Sequence, residues 1–282
     1  SSAASDVYKR QLGGHLRPRK KIAVAFSGGV DSSFLLAAAA EILGAQNVLA
    51  CIGISPSLPA RQLALARETA HFLGVRLIEI ALAELDDPNY QVNRADRCFH
   101  CKSHQFGAIR QRAAAEGFTH VACGSNFDDK EDFRPGARAV AALGILTPLA
   151  DAGLTKEDIR TLSRERNLPT AQMPASPCLA SRIAYGIEIT EEKLRQVEQA
   201  EEFVRSLGFT EFRVRHHGWL ARIEVLEGDI EKAAAESVRK QLADKLKALG
   251  FQYVALDLRG FRSGSLNEAL TEREKDRPGE GV

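Results

Sequence analysis

The sequence predicts an α/β protein: a doubly wound parallel sheet with a smaller C-terminal α+β domain. Three observations carry this. From Lys20 onward, short apolar runs alternate with segments of helical period; a turn rich in serine and glycine separates the first run from its helix; and beyond residue 186 two alternating stretches follow each other directly. Repeated strand–helix units imply a parallel sheet with helices on both faces and right-handed crossovers. A chain of 282 residues, 44% of them hydrophobic, has room for about two domains with real cores.

Residues 1–19 are small, polar and basic without a sustained period, and are read as a disordered leader or an artefact outside the fold. Strand Ile22 to Phe26 leads to helix Asp31 to Leu43, strand Asn47 to Ile54 to helix Arg61 to Leu73, and strand Val75 to Ile80 follows. Cys98 to Glu116 reads as a loop entering a helix, and Thr119 to Cys123 as the next strand. That strand ends in the polar loop Gly124-Ser125-Asn126-Phe127-Asp128-Asp129, continued by Arg134-Pro135-Gly136, at the strand end where ligands of open α/β sheets bind. Thr155 to Asn167 opens on Thr-Lys-Glu-Asp, close to a capping box, and stops at Pro169. The proline- and serine-rich segment Thr170 to Gly186 has no period and reads as a functional loop.

Helix Thr190 to Leu207, strands Phe209 to His216 and Trp219 to Leu226 around the turn His217-Gly218, helix Ile230 to Leu249 and strand Phe251 to Leu258 make a small α-β-β-α-β unit. The expected division is therefore a first domain over residues 20–185, a second over 186–264, and a flexible tail over 265–282.

The stretch Ala25-Phe26-Ser27-Gly28-Gly29-Val30-Asp31-Ser32-Ser33 joins a strand to a helix N-terminus. Its glycines let backbone N–H groups approach an oxyanion, the helix start adds unpaired donors and a positive dipole end, and Ser27, Ser32 and Ser33 add hydroxyls. A Walker loop would end in Gly-Lys-Ser/Thr; this one ends in Asp31-Ser32-Ser33 and has no lysine. An acidic group beside phosphates suits a Mg²⁺-pyrophosphate ligand, because the metal offsets the repulsion.

Five cysteines, an odd number, argue against a secreted disulfide framework and for metal or sulfur chemistry in a reducing compartment. Cys98-Phe99-His100-Cys101 is a pair that could grip one metal or cluster, and Cys178 lies in a loop expected to close over the same sheet edge. Three thiolates fall one short of a closed site and leave a position open. A redox pair, a zinc site completed by His100 or His104, or isolated thiols at a helix start are readings of the same residues. Cys51 and Cys123 sit on strands and read as small buried hydrophobes.

Arg213 and Arg215 are two apart on one strand and share a face, as do Arg222 and Glu224 on the next. Guanidinium pairs suit phosphate or carboxylate, although a solvated sheet face is the simpler reading of that pattern alone. Ser181 and Arg182 follow Cys178, and His216 and His217, before a turn, are expected to be exposed. The charge balance of 38 basic against 37 acidic residues counts against a nucleic-acid partner. No apolar run approaches a bilayer span and no signal-peptide core is present, so a cytoplasmic protein without membrane partners is expected.

Ser-Gly-Gly-Val-Asp-Ser-Ser at Ser27 to Ser33 resembles the PP-loop of the ATP pyrophosphatases, which cleave ATP between the α and β phosphates and adenylylate a substrate oxygen. Together with the Gly124-x-Asn126 loop, Arg134-Pro135-Gly136, Pro177-Cys178-Leu179-Ala180-Ser181-Arg182-x-x-Tyr185-Gly186 and Arg213-x-Arg215, it resembles the LarE family, ATP-dependent pyridinium-3,5-biscarboxylic acid mononucleotide sulfurtransferases. The likeness runs from about Lys21 to Gly264.

The resemblance implies adenylylation of each carboxylate of a pyridinium nucleotide, then conversion to thiocarboxylate, in biosynthesis of the nickel-pincer nucleotide used by lactate racemase. It implies Ser27, Gly28, Gly29, Asp31, Ser32, Ser33 and Gly124 as ATP residues with Mg²⁺, and Ser181, Arg182, Glu201, Arg213 and Arg215 as the substrate group. Some members carry a single sacrificial cysteine. This chain, with Cys98, Cys101 and Cys178, resembles the three-cysteine subclass, in which a [4Fe–4S] cluster carries an exchangeable sulfide from an external donor and the protein is a homo-oligomer, a hexamer. Two other readings are a PP-loop tRNA thiolation enzyme and a nucleotide-binding protein with structural zinc.

Overall fold

The computed structural model describes residues 2–130, 136–174, 177–262 and 264–270. Arg134 and Pro135 of the expected ligand loop, and the tail 271–282, lie outside the described residues. The chain divides into two compact units, residues 1–84 with 98–176, and residues 85–97 with 177–282.

In chain order the first unit holds α1 (Ser2–Leu16), β1 (Ile22–Ala25), α2 (Val30–Leu43), β2 (Val48–Ile54), α3 (Ala60–Phe72), β3 (Arg76–Ala81), α4 (Arg97–Ala115), β4 (Val121–Cys123) and α5 (Lys156–Glu165), with α4 starting on the boundary residue. The four strands form an all-parallel sheet in the order β3-β2-β1-β4. Alternate residues feed two cores. Ile22, Val24, Val48, Ala50 and Ile52 join one with residues of α1, α2 and α5. Ala23, Leu49, Cys51, Val121 and Cys123 join the other with Phe106, Ile109 and Ala113 of α4. Burial on both faces is why these strands read as continuous apolar runs. Strand order reverses between β1 and β4, so the crevice at their C-terminal ends is the expected ligand position.

The second unit contains α6 (Glu191–Ser206), β5 (Phe212–His217), β6 (Leu220–Val225), α7 (Ile230–Ala234), α8 (Glu236–Ala248) and β7 (Tyr253–Leu256). β5 and β6 form an antiparallel hairpin and β7 runs parallel to β6. Phe209, Phe212, Val214, Ile223, Val225, Leu242 and Leu246 form its core. The α/β doubly wound fold with a small C-terminal sheet is thus the one the sequence predicts.

Four expectations need correction. Residues 1–19 are not a structureless leader: α1 places Tyr8, Leu12 and Leu16, four apart and hence on one helix face, in the core, with the Tyr8 ring tilted against Phe34 at 5.8 Å. The helix expected over Ile230 to Leu249 is broken at Ala235, whose φ −55°, ψ 140° is extended. The tail begins later than expected, since Ser265–Ala269 is a 3₁₀ turn and Leu266 and Leu270 are buried. Finally, residues 85–97 and 177–185, expected in the first domain, belong with the second unit. Asn93, fully buried at φ 56°, donates to the carbonyls of Ile183, Ala184 and Ile187, and Arg97 donates to Asn93 Oδ1 and the Ala180 carbonyl.

Candidate functional site

The turn after β1 is built for backbone donors. Gly28 has φ +72°, and a Cβ there would meet the Gln62 carbonyl at 2.9 Å, so only glycine fits. Gln62 Nε2 in turn donates to the Ser27 carbonyl at 2.6 Å. Ser27 and Ser32 hydroxyls lie 3.1 Å apart, and Ser32 Oγ donates to the Gly29 carbonyl at 3.1 Å. Gly29 is the N-cap of α2, and among the described residues no side chain caps the helix. Its first N–H groups are left without a side-chain cap, an arrangement that suits an anion. The fully buried Ser33 hydroxyl has no hydrogen-bond partner among the described residues.

Gly124, at the end of β4, closes the crevice from the other side. A Cβ there would lie 2.7 Å from the Ser32 amide nitrogen. The loop that follows is a scaffold as well as a candidate ligand loop: Asn126 and Asp129 exchange hydrogen bonds, Phe127 N–H donates to the Leu154 carbonyl, and Asp128 accepts the Lys156 N–H at 2.8 Å. The capping box predicted at Thr155 is present, with Asp158 as its partner. Lys156, absent from the sequence-based candidates, brings its Nζ to 2.7 and 2.6 Å from the two oxygens of Asp31. No local signal marks it, because the partners are 125 residues apart.

Cys98 and Cys101 are one turn apart on α4, half-buried, and neither is in a disulfide. The Cys101 thiol donates to Glu84 Oε2 at 3.3 Å. Glu84 is 1% exposed and also accepts from the Ser55 hydroxyl at 2.7 Å and from the Ser57 hydroxyl. This buried carboxylate was not a sequence candidate; its only signal is its place just after β3. Cys178 stands at the start of a 3₁₀ turn over Leu179–Arg182, half-buried, its carbonyl accepting from Ser181 N–H, Ser181 Oγ and Arg182 Nη1. Among the described residues no group of three or more His, Cys, Asp or Glu side chains is arranged as a metal site. Cys51 and Cys123 are buried as expected, and desolvation pushes the Cys51 thiol up to about 12.

The predicted substrate residues of the second unit do come together. Arg182 chelates Glu201 through Nε at 2.9 Å and Nη2 at 3.0 Å. Arg215 pairs with Glu224 at 2.8 Å and donates to the Ser181 carbonyl and to Ser265 Oγ, whose hydroxyl donates to Glu224. Arg222 bridges Glu224 and Asp257. Arg213, opposite Glu224 in the hairpin, donates to the Phe212 carbonyl and stacks 4.8 Å over Phe261. Burial, reinforced by the like charge of Arg182, lowers its pKa to about 10, which leaves it protonated at neutral pH.

The solvated-face reading of this pattern is overturned: Arg182, Arg213 and Arg215 are at most 9% exposed. Three buried guanidinium groups, those of Arg182, Arg213 and Arg215, thus share one region with the buried carboxylates Glu201 and Glu224. His216 is also buried, at 2% exposure, rather than exposed at the turn. Its Nδ1 accepts from Gly218 N–H and its Nε2 meets Gln196, and burial lowers its pKa to about 4.

An all-parallel sheet with an uncapped Ser-Gly-Gly-Val-Asp-Ser-Ser turn at its switch point defines a doubly wound protein of the PP-loop type. Comparison with known proteins then gives the family. No family model matches the chain. A Lactiplantibacillus plantarum protein described as pyridinium-3,5-bisthiocarboxylic acid mononucleotide synthase is 35% identical over 266 residues, covering 94% of this chain and 96% of that protein. Uncharacterized proteins of Synechocystis sp. and Methanocaldococcus jannaschii are 39% and 32% identical, over 88% and 86% of this chain and 92% of each relative. The chain belongs to the LarE family, that of the L. plantarum synthase. No helix among the described residues is long and apolar enough to cross a membrane.

Proposed function

We propose that the chain is an ATP-dependent sulfurtransferase that adenylylates the carboxylates of pyridinium-3,5-biscarboxylic acid mononucleotide and converts them to thiocarboxylates. The observation that carries this reading is the uncapped α2 start with its serine hydroxyls, including the orphaned Ser33 Oγ, at the sheet's switch point. Backbone N–H groups of the turn and the hydroxyls of Ser27, Ser32 and Ser33 hold the ATP phosphates; Gly28 and Gly124 keep Cβ atoms out of the space. Asp31 supplies the carboxylate that Mg²⁺ needs beside phosphate oxygens. A substrate carboxylate oxygen attacks the α-phosphorus and pyrophosphate leaves, so that AMP becomes the leaving group for the sulfur that follows.

The clustering of the buried guanidinium groups of Arg182, Arg213 and Arg215 supports their assignment to the anionic nucleotide. Glu201 and Glu224 hold the guanidinium planes, so the forks are oriented before substrate arrives.

By the resemblance to the three-cysteine subclass, Cys98, Cys101 and Cys178 would be the thiols that hold a [4Fe–4S] cluster; none is in a disulfide, and Cys98 and Cys101 share one helix face. When bound, such a cluster offers a position for exchangeable sulfide, which makes an external donor the sulfur source. Anaerobically purified protein is then expected to contain iron and acid-labile sulfide; stoichiometric zinc without iron contradicts this. Asp31→Ala should abolish substrate-dependent pyrophosphate release, whereas Cys178→Ala should retain it and lose thiocarboxylate formation. Equal loss of both steps in Cys178→Ala contradicts the assignment.

A further inference from the structure

The phosphate turn contains no lysine, and its one charged side chain, Asp31, has the sign that repels phosphate. The compensating cation comes from another part of the chain. Lys156 Nζ sits 2.7 and 2.6 Å from Asp31 Oδ1 and Oδ2, chelating the carboxylate at the start of α2. Its root is fixed by the loop that lines the same crevice: Asp128 accepts the Lys156 N–H, Thr155 and Asp158 cap the helix behind it, and Gly124 abuts the Ser32 amide. The backbone is anchored while the four-carbon side chain is partly open to solvent, 35% exposed against 23% for Asp31.

A role as a structural staple between α2 and α5 explains this arrangement poorly. The two helices already share an apolar core through Phe34, Leu35, Ile159 and Leu162. A partly exposed ion pair adds little to stability. That small energy makes the pair easy to exchange, and both partners stand beside the place where phosphates and their metal would arrive.

We infer that Lys156 is the cation for the outer phosphates of ATP, stored on Asp31 in the nucleotide-free protein. The inference rests on the nucleotide reading proposed above. On binding of Mg²⁺-ATP, Asp31 exchanges the ammonium for the metal and Lys156 exchanges the carboxylate for oxygens of the β and γ phosphates. Each charge keeps an opposite partner, so the turn does not leave an uncompensated carboxylate beside phosphate. Lys156 thus supplies from α5 the charge that a Walker loop carries within itself. Because AMP lacks those outer phosphates, the lysine discriminates ATP and pyrophosphate from AMP.

The test is isothermal titration of the full nucleotide-free chain with Mg²⁺-ATP, Mg²⁺-pyrophosphate and AMP, comparing wild type with Lys156→Met, which keeps the stem and removes the charge, and Lys156→Arg. Thermal melting checks that each variant is folded. Lys156→Met should weaken Mg²⁺-ATP and Mg²⁺-pyrophosphate by at least about tenfold, a difference of about 1.4 kcal/mol, and should change AMP affinity by less than about twofold. Lys156→Arg, which keeps the charge on a different head group, should recover part of the loss. Unchanged Mg²⁺-ATP affinity in Lys156→Met, or equal weakening of ATP and AMP, overturns the inference while the nucleotide reading stands. Wild type that binds none of the three overturns both.

Discussion

The two candidate anion sites are built in opposite ways. In the first unit the donors are backbone amides and hydroxyls at an uncapped helix start, and the charged pair beside them is partly exposed and exchangeable. In the second unit the donors are guanidinium groups buried among carboxylates, with Arg182 on Glu201 and Arg215 on Glu224 already paired. A backbone site needs little from side chains and adds little to stability. A buried charge network is held rigid by its own ion pairs, and losing one partner leaves a desolvated charge behind. Changes in the first site should therefore appear mainly in ligand affinity, and changes in the second should appear in folding as well.

The largest effect that can break this contrast is on Glu224, which is fully buried and shared by Arg215, Arg222 and Ser265. Glu224→Ala should lower unfolding free energy by about 3–5 kcal/mol in urea titration; a loss below about 1 kcal/mol would show that water reaches these arginines.

The second effect is a pH dependence in the same unit. His216 has its folded pKa depressed to about 4 from 6.5, so the unfolded chain binds the proton first as pH falls. Stability from this residue is fully present above about pH 6.5 and is lost between there and about pH 4, by on the order of 3 kcal/mol. His216→Gln should flatten the difference between melting curves taken at the two ends of that window.

The smallest stability effect belongs to the first site. Gly28→Ala forces a Cβ into φ +72° and against the Gln62 carbonyl, which costs about 1–3 kcal/mol. Yet it should remove most ATP affinity in a filter or calorimetric assay, and retained affinity would mean that the turn does not hold phosphates.

Much of this was legible because strands and turns write local patterns. The β1–α2 turn, its glycines and hydroxyls, and the spacing of Arg213 and Arg215 all follow from residues within a few positions of each other. α1 was legible in principle, since Tyr8, Leu12 and Leu16 mark one helix face, but the flanking glycines and charged residues hide the period. Alternation shows which face of a strand holds arginines and cannot show whether that face is covered; burial of Arg213, Arg215 and His216 depends on α6, the 3₁₀ turn after Cys178 and the segment around Phe261. Lys156 with Asp31, and Glu84 with Ser55, Ser57 and Cys101, are joined only by tertiary structure, so nothing local announces them.

The central claim is that the backbone site activates a carboxylate which then receives sulfur. It is tested most directly by incubating the anaerobically purified, full chain with Mg²⁺-ATP, sulfide and pyridinium-3,5-biscarboxylic acid mononucleotide, and following the pyridinium nucleotide by mass spectrometry. Replacement of one oxygen by sulfur at each carboxylate is expected, with AMP and pyrophosphate formed only when that nucleotide is present. Release of ADP and phosphate, or an unchanged nucleotide mass in protein that carries its iron, would contradict it.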